Sequence, residues 1–176
     1  PDLGPGATLE EVDRYILARY GEVARNILHD YEEYASGAIS QALTQFVTVD
    51  LSSFYNDISK DGLYTLGPRS PERRSAQTAL YLMADGLTRL LAPILSFTAD
   101  ELWGFLPGTR EESVHMALFP AAADLDALAD PVLVARWKAL ALLPERVLAE
   151  IEPLRQTKQI GTPQQARVGI PAAAAG

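Results

Sequence analysis

Apolar residues recur at spacings of three and four along most of this chain, and that spacing commits it to helices. The first run is Leu9, Val12, Ile16, Tyr20, Val23, Ile27, Tyr31 and Tyr34. One face of an α-helix collects residues at such intervals, whereas a half-buried strand needs strict alternation. Thr8, followed three residues later by Glu11, has the form of a capping box at the start of this helix. A second stripe runs through Ile39, Leu43, Val47, Leu51, Phe54 and Ile58. It should end near Asp61-Gly62, because glycine readily supplies a helix C-terminus, and Gly67-Pro68 then forces a turn.

The third helix is expected to begin at Ser70-Pro71, an N-cap followed by proline in the first helical position. Its stripe is Leu80, Met83, Leu87, Leu90 and Ile94, and Pro93 should break it. Thr98 and Glu101 suggest a second capping box that restarts a short helix through Trp103 and Phe105. Residues 109–129 read as a loop containing an extended piece at 113–117. Asp130-Pro131 opens a fourth helix with Leu133, Trp137, Leu140, Val147, Ile151 and Leu154 on one face. Pro144 and Pro153 should bend it or fray its end. A short strand is expected at 166–170. The fold class is therefore all-α, an antiparallel bundle of four main helices with an irregular or strand-like C-terminal appendage. The expected division is a bundle over 1–120 and a C-terminal helix with connector over 121–176.

Composition narrows the function. At 176 residues with 48% hydrophobic side chains, the chain can bury an ordinary core. No apolar run approaches the roughly 20 residues that span a bilayer. With no cysteine there is no thiolate nucleophile, disulfide or cysteine-bound zinc, a usage compatible with the cytosol. The first residue is proline, which suggests a piece of a longer polypeptide.

The net charge of −8 argues against a surface that attracts nucleic acid everywhere. Residues 1–35 hold eight acids against three arginines. Residues 58–90 invert that balance, with Lys60, Arg69, Arg73, Arg74 and Arg89 against Asp61, Glu72 and Asp85. A nucleic-acid partner would therefore meet a local patch, and a solvated mixed surface explains the same residues.

Catalytic chemistry is poorly represented. His29 and His115 lack the helical spacing of a metal pair, and no phosphate loop is present. Glu32-Glu33 and Glu111-Glu112 suit an exposed face, and Asp100-Glu101 suit the first turn of a helix. Phe54, Tyr55, Tyr81 and Trp103 fit a core better than a base-stacking platform, while Tyr64 lies beside Lys60 in an expected turn. Arg69, Arg73 and Arg74 surround a helix N-terminus, where backbone N–H groups and guanidinium donors can hold a phosphate or simply pair with acids.

Longer motifs go further. Residues 49–65 read VDLSSFYNDISKDGLYT, followed by RRSAQTALY, LAPILSFTADELWGFLPG and ESVHMALFP. Together they closely resemble bacterial isoleucyl-tRNA synthetases. Residues 13–19, DRYILAR, resemble the opening of the helical anticodon-binding domain shared by the isoleucine, valine, leucine and methionine enzymes. Arg136-Trp137, Val147-Leu148, Ile151-Glu152, Arg155 and Lys158-x-Ile160-Gly161 resemble the connection after the bundle in the isoleucine-specific enzymes. The resemblance runs from about Leu9 to Val168.

It implies a fragment without the catalytic, editing and zinc-bearing regions, and so without cofactor of its own. ATP with Mg, and zinc, would belong to the full-length ligase. The implied partners are tRNA(Ile) and the remaining domains of the same polypeptide, in a cytoplasmic monomer with no membrane contact. The implied tRNA-binding residues are Arg14 and Arg19 on the first helix and Lys60, Asp61 and Tyr64 at the corner; Arg69, Arg73 and Arg74 join them as candidates from the helix N-terminus that they surround. At Gly62 isoleucine enzymes commonly carry arginine, so any contact from that side chain is missing here. Two alternatives stay open: a structural module bracing neighbouring domains, and the equivalent domain of a valine- or leucine-specific enzyme.

Overall fold

The computed structural model describes residues 8–162, 167 and 169. Its elements are α1 (Glu11–Glu32), α2 (Ser36–Gln45), a π-helical stretch (Phe46–Tyr55), α3 (Asn56–Thr65), α4 (Pro71–Leu91), α5 (Ser96–Phe105), a 3₁₀ turn (Val114–Met116), α6 (Ala122–Ala127) and α7 (Pro131–Gln156). Among the described residues every regular element is helical, as expected, and the strand expected at 166–170 lies outside the described residues save Arg167 and Gly169.

Two compact units divide at Asp130 and Pro131. This boundary lies ten residues beyond the one expected at 120/121. In the structure, residues 122–127 form α6, whose Leu125 joins the core of the first unit. In the second unit α7 continues as one assigned helix past both Pro144 and Pro153.

Three rods build the first unit. Tyr31 Oη donates to the carbonyl of Leu90 at 2.7 Å, while Glu10 N donates to Ser75 Oγ at 2.8 Å. Low numbers meet low and high meet high, so α1 and α4 run parallel. Residues 36–65 run the other way, with Phe46 beside Tyr20 (ring centroids 6.3 Å apart) and Tyr55 beside Asp13. Between them lie Ile16, Leu17, Ala24, Ile27, Ile39, Leu43, Met83 and Leu90, all buried.

The second rod departs from the expected stripe. Its middle is π-helical, with hydrogen bonds closing over five residues, and Ser53 Oγ reaches back five residues to Thr48 O. This wider winding rotates the buried face. Phe46 and Tyr55 enter the core, whereas Val47 is 39% and Ile58 47% exposed. The rod also runs past Gly62, because that residue sits in helical conformation and its carbonyl accepts from Leu66 N. It ends only where Gly67 and Pro68 follow.

Cap chemistry was right at one end and wrong at two. Ser70 Oγ accepts from Arg73 N at 3.3 Å, with Pro71 in the first helical position. Thr8 caps nothing; α1 starts at Glu11, and its entry is fixed by the bond to Ser75. Likewise α5 begins at Ser96, two residues before Thr98. Asp100 therefore lies beyond the first turn and accepts from Ser113 Oγ at 2.6 Å and Val114 N at 3.1 Å. Those hydrogen bonds hold its carboxyl below the usual range, Ser113 most of all. The extended piece expected at 113–117 is the 3₁₀ turn that Asp100 ties down.

Where the rods meet at one end, a carboxylate is buried. Asp13 is 1% exposed; Tyr55 Oη donates to its Oδ1 at 2.5 Å, and Ser75 Oγ donates to Oδ2. Since Glu10 N donates to Ser75 Oγ, every hydrogen in this chain finds an acceptor only if Asp13 is ionised. Burial nonetheless raises its pKa from 3.8, with the Ser75 and Tyr55 hydrogen bonds opposing. A raised folded-state pKa means that the folded chain takes up this proton first. Lowering the pH through that pKa toward 3.8 should therefore shift stability in favour of wild type over Asp13→Asn, which has nothing to titrate there. Urea denaturation of both proteins at pH 7 and pH 4 reads that change directly.

Candidate nucleic-acid interface

Tyr55 stands level with Asp13 near the start of α1. The ten residues of α3, about 15 Å of helix, therefore project past the first turn of α1. They return through the turn at 67–70, closed by Ser70 N donating to Gly67 O at 3.0 Å, into the first turn of α4. The result is a helical hairpin with a narrow tip. It gathers Lys60, Asp61, Tyr64, Arg69, Arg73 and Arg74, six of the eight candidate tRNA-binding residues. Arg14 and Arg19 lie apart on α1.

Tyr64 lies in the last turn of α3 and is 86% exposed, a bare ring at the end of a rigid element. Arg69 is exposed in the turn and has no hydrogen-bond or ion-pair partner among the described residues. Lys60 pairs with Asp57 at 2.5 Å, and this pair raises the lysine pKa, so it stays charged. Both members are more than half exposed, so the pair is screened and easily exchanged for another anion.

Arg73 is more committed. Its Nη1 donates to the carbonyl of Leu66 at 2.8 Å, closing the free end of α3. Arg74 is half-buried and borders an open apolar groove beside Gln77, Leu80 and Tyr81.

Arg14 is exposed on α1, at the hairpin end, and its side chain has no partner among the described residues. Arg19 is placed differently. It pairs with Glu22 on its own helix and reaches Asp50 of the π stretch at 3.4 Å, leaving its side chain 17% exposed. Desolvation lowers its pKa, but the two carboxylates outweigh that and keep it charged. Its observed work is to bridge two rods.

Gly62 leaves room. A Cβ there would meet only Leu66 Cδ1, at 3.7 Å, an ordinary contact. At the tip the bases Lys60, Arg69, Arg73 and Arg74 face the acids Asp57, Asp61 and Glu72. The surface is thus only weakly basic, with an aromatic ring at its apex. Such a surface suits a few unstacked bases with local phosphate contacts better than a long duplex.

Among the described residues no three His, Cys, Asp or Glu cluster as a metal site, and no helix is long and apolar enough to cross a membrane. His29 is exposed, and His115 Nε2 lies 3.3 Å from Ser96 O.

The model of the anticodon-binding domain of tRNA ligase matches residues 13–170. The chain belongs to that family. The anticodon-binding domain seen here is 41% identical over 164 residues to the isoleucine–tRNA ligase of Bacillus cereus strain AH187. The same identity and length hold for the isoleucine–tRNA ligase of Bacillus anthracis strain CDC 684 / NRRL 3495. These alignments cover 93% of this chain but 18% of each relative, so the domain spans under a fifth of their length.

Asp13, the first residue of the DRYILAR motif, was not among the candidate site residues, although it builds the root of the tip. A signal was available, because Asp13, Leu17, Tyr20, Ala24 and Ile27 share one face with spacings of three and four. An acid on an apolar stripe implies a buried partner.

Proposed function

We propose that this chain is the part of an isoleucine–tRNA ligase that grips the anticodon stem-loop of tRNA(Ile). The observation that carries this reading is the projecting hairpin, with Tyr64 bare at its tip and Lys60 and Arg69 beside it. A base splayed from the loop would stack on Tyr64, while the two cations and Arg14 take phosphates. In the complete cytoplasmic monomer, this grip would set the acceptor end against an ATP-dependent catalytic region elsewhere in the polypeptide. Its contribution is orientation, with no bond made here. The 41% identity to isoleucine ligases favours isoleucine over valine or leucine.

Titrating the chain with a labelled tRNA(Ile) anticodon stem-loop tests the reading. Binding that weakens with salt is expected, and the tRNA(Ile) acceptor hairpin should bind more weakly; equal affinity for the two would sink it. Gly62→Arg supplies a second handle. Arginine is preferred over glycine inside a helix, and the site has space, so the variant should gain about 0.5–1 kcal/mol of stability. A guanidinium added at the tip should also tighten stem-loop binding severalfold at low salt. It should steepen the salt dependence by about 0.7 per new phosphate contact. Chemical denaturation and the same titration measure both effects.

The bracing alternative draws on a different face. Phe97 is 93% and Phe105 79% exposed, two turns apart on α5, with Met116 and Leu118 exposed nearby in sequence. Apolar exposure of this kind favours contact with another protein surface. The two readings are compatible, since they use different residues.

A further inference from the structure

Asp13 has no role in the contacts just described, yet burying a carboxylate is costly unless something is gained. An apolar side chain of similar volume would fill the site more cheaply, and buried polar groups of this kind can instead fix one arrangement of a core. Here the carboxylate sits where three segments converge: its own α1, Tyr55 at the root of α3, and Ser75 at the root of the α4 arm. Ser75 also takes the backbone N–H of Glu10, so the entry to α1 is tied to the same point. Hydrogen bonds to the two oxygens of one carboxylate fix direction as well as distance, a constraint that apolar contacts lack.

We propose that Asp13 is a positioning residue for the tip, locking the α3–α4 hairpin in one register and orientation against α1 through Tyr55 and Ser75. The lever is long. The hairpin projects about 15 Å beyond this point, so a small rotation at its root moves Tyr64 by a larger distance. Only the RNA arm of the following test rests on the anticodon reading.

The cysteine-free chain allows clean spin labelling. Labels at Asn26→Cys on α1 and Thr65→Cys at the tip, both exposed positions, report the hairpin orientation. Asp13→Asn supplies an N–H where one hydroxyl needs an acceptor, so one buried hydrogen loses its partner. Tyr55→Phe is the milder variant should the first fold poorly. Leu90→Ala, buried in the core at the far end from Asp13, is the control for general destabilisation.

The inter-label distance distribution should widen about twofold in both hub variants and stay as in wild type in the control. Stem-loop Kd should rise severalfold in Asp13→Asn, because only the fraction of molecules holding the tip in the binding orientation can take the RNA. An unchanged width in both hub variants, or equal widening in Leu90→Ala, overturns the proposal. If the wild-type chain binds no stem-loop, the anticodon reading falls, and the distance measurement still decides the role of Asp13.

Discussion

Replacing Gly86 with alanine should destabilise this protein by about 2–3 kcal/mol, although glycine-to-alanine inside a helix ordinarily stabilises by up to about 1 kcal/mol. The reversal comes from packing. Gly86 lies in the interior of α4, and a Cβ built on it would fall 1.7 Å from Tyr20 Oη and 2.7 Å from Tyr20 Cζ. Tyr20 cannot simply swing away, because it is buried and packed against Phe46. Burial also pushes its phenol pKa up to about 12, as expected of a hydroxyl removed from water. The melting temperature should fall by roughly 5–10 °C for a chain of this size. Tyr20→Phe removes the oxygen of the clash, so it should recover at least about 1 kcal/mol of the loss in the double variant. Thermal melts of the four proteins of the cycle check both statements, and additive effects would contradict this packing account.

Tyr64→Ala should cost about 1–3 kcal/mol of stem-loop affinity, the range for losing one base stacked on an aromatic ring. That is a weakening of roughly fivefold to 150-fold, from a residue that contributes almost nothing to the fold. Tyr64 is 86% exposed, so its removal should leave the melting temperature within about 1 °C. The combination separates recognition from stability. A substitution that lowered both together would mean that Tyr64 packs against something in the folded chain. Competition titration and a thermal melt of the same preparation give the two numbers.

Local chemistry was the legible part of this sequence. Ser70-Pro71 announced α4 correctly because an N-cap and an N1 proline act within one turn. Pro93 likewise marked a real break, with α4 ending at Leu91 and α5 starting at Ser96. What long-range contacts decide was hidden. The Thr8–Glu11 pattern lost to a hydrogen bond from Glu10 to Ser75, 65 residues away. Six-residue α6 gave no periodic signal; it is held by Leu125 in the core and by Arg25, which donates to Leu125 O and Asp126, both at 3.1 Å. Gly21 lets it approach, since a Cβ there would lie 3.1 Å from Leu125 O. The π stretch escaped because a stripe read at three and four residues presupposes the winding that it lacks.

The site divides the same way. Lys60, Asp61, Tyr64, Arg69, Arg73 and Arg74 cluster because they are close in sequence around one turn. Arg19, which the resemblance implies as a tRNA contact, also bonds to Asp50, 31 residues away, and so joins α1 to the second rod. Asp13, one of the acids counted in residues 1–35, is the buried junction beneath the tip, made by contacts 42 and 62 residues away that no local pattern shows.

The central claim, that the hairpin tip meets RNA, is tested most directly by the salt dependence of stem-loop binding. The comparison is between wild type and the double variant Lys60→Gln/Arg69→Gln. If both cations contact phosphates of the loop, the slope of log Kd against log salt should fall by about 1.4, at about 0.7 per single-stranded contact. Affinity at low salt should drop at least about tenfold, with the melting temperature unchanged. A double variant that binds with the affinity and salt slope of wild type would contradict the account and move the RNA surface away from this tip.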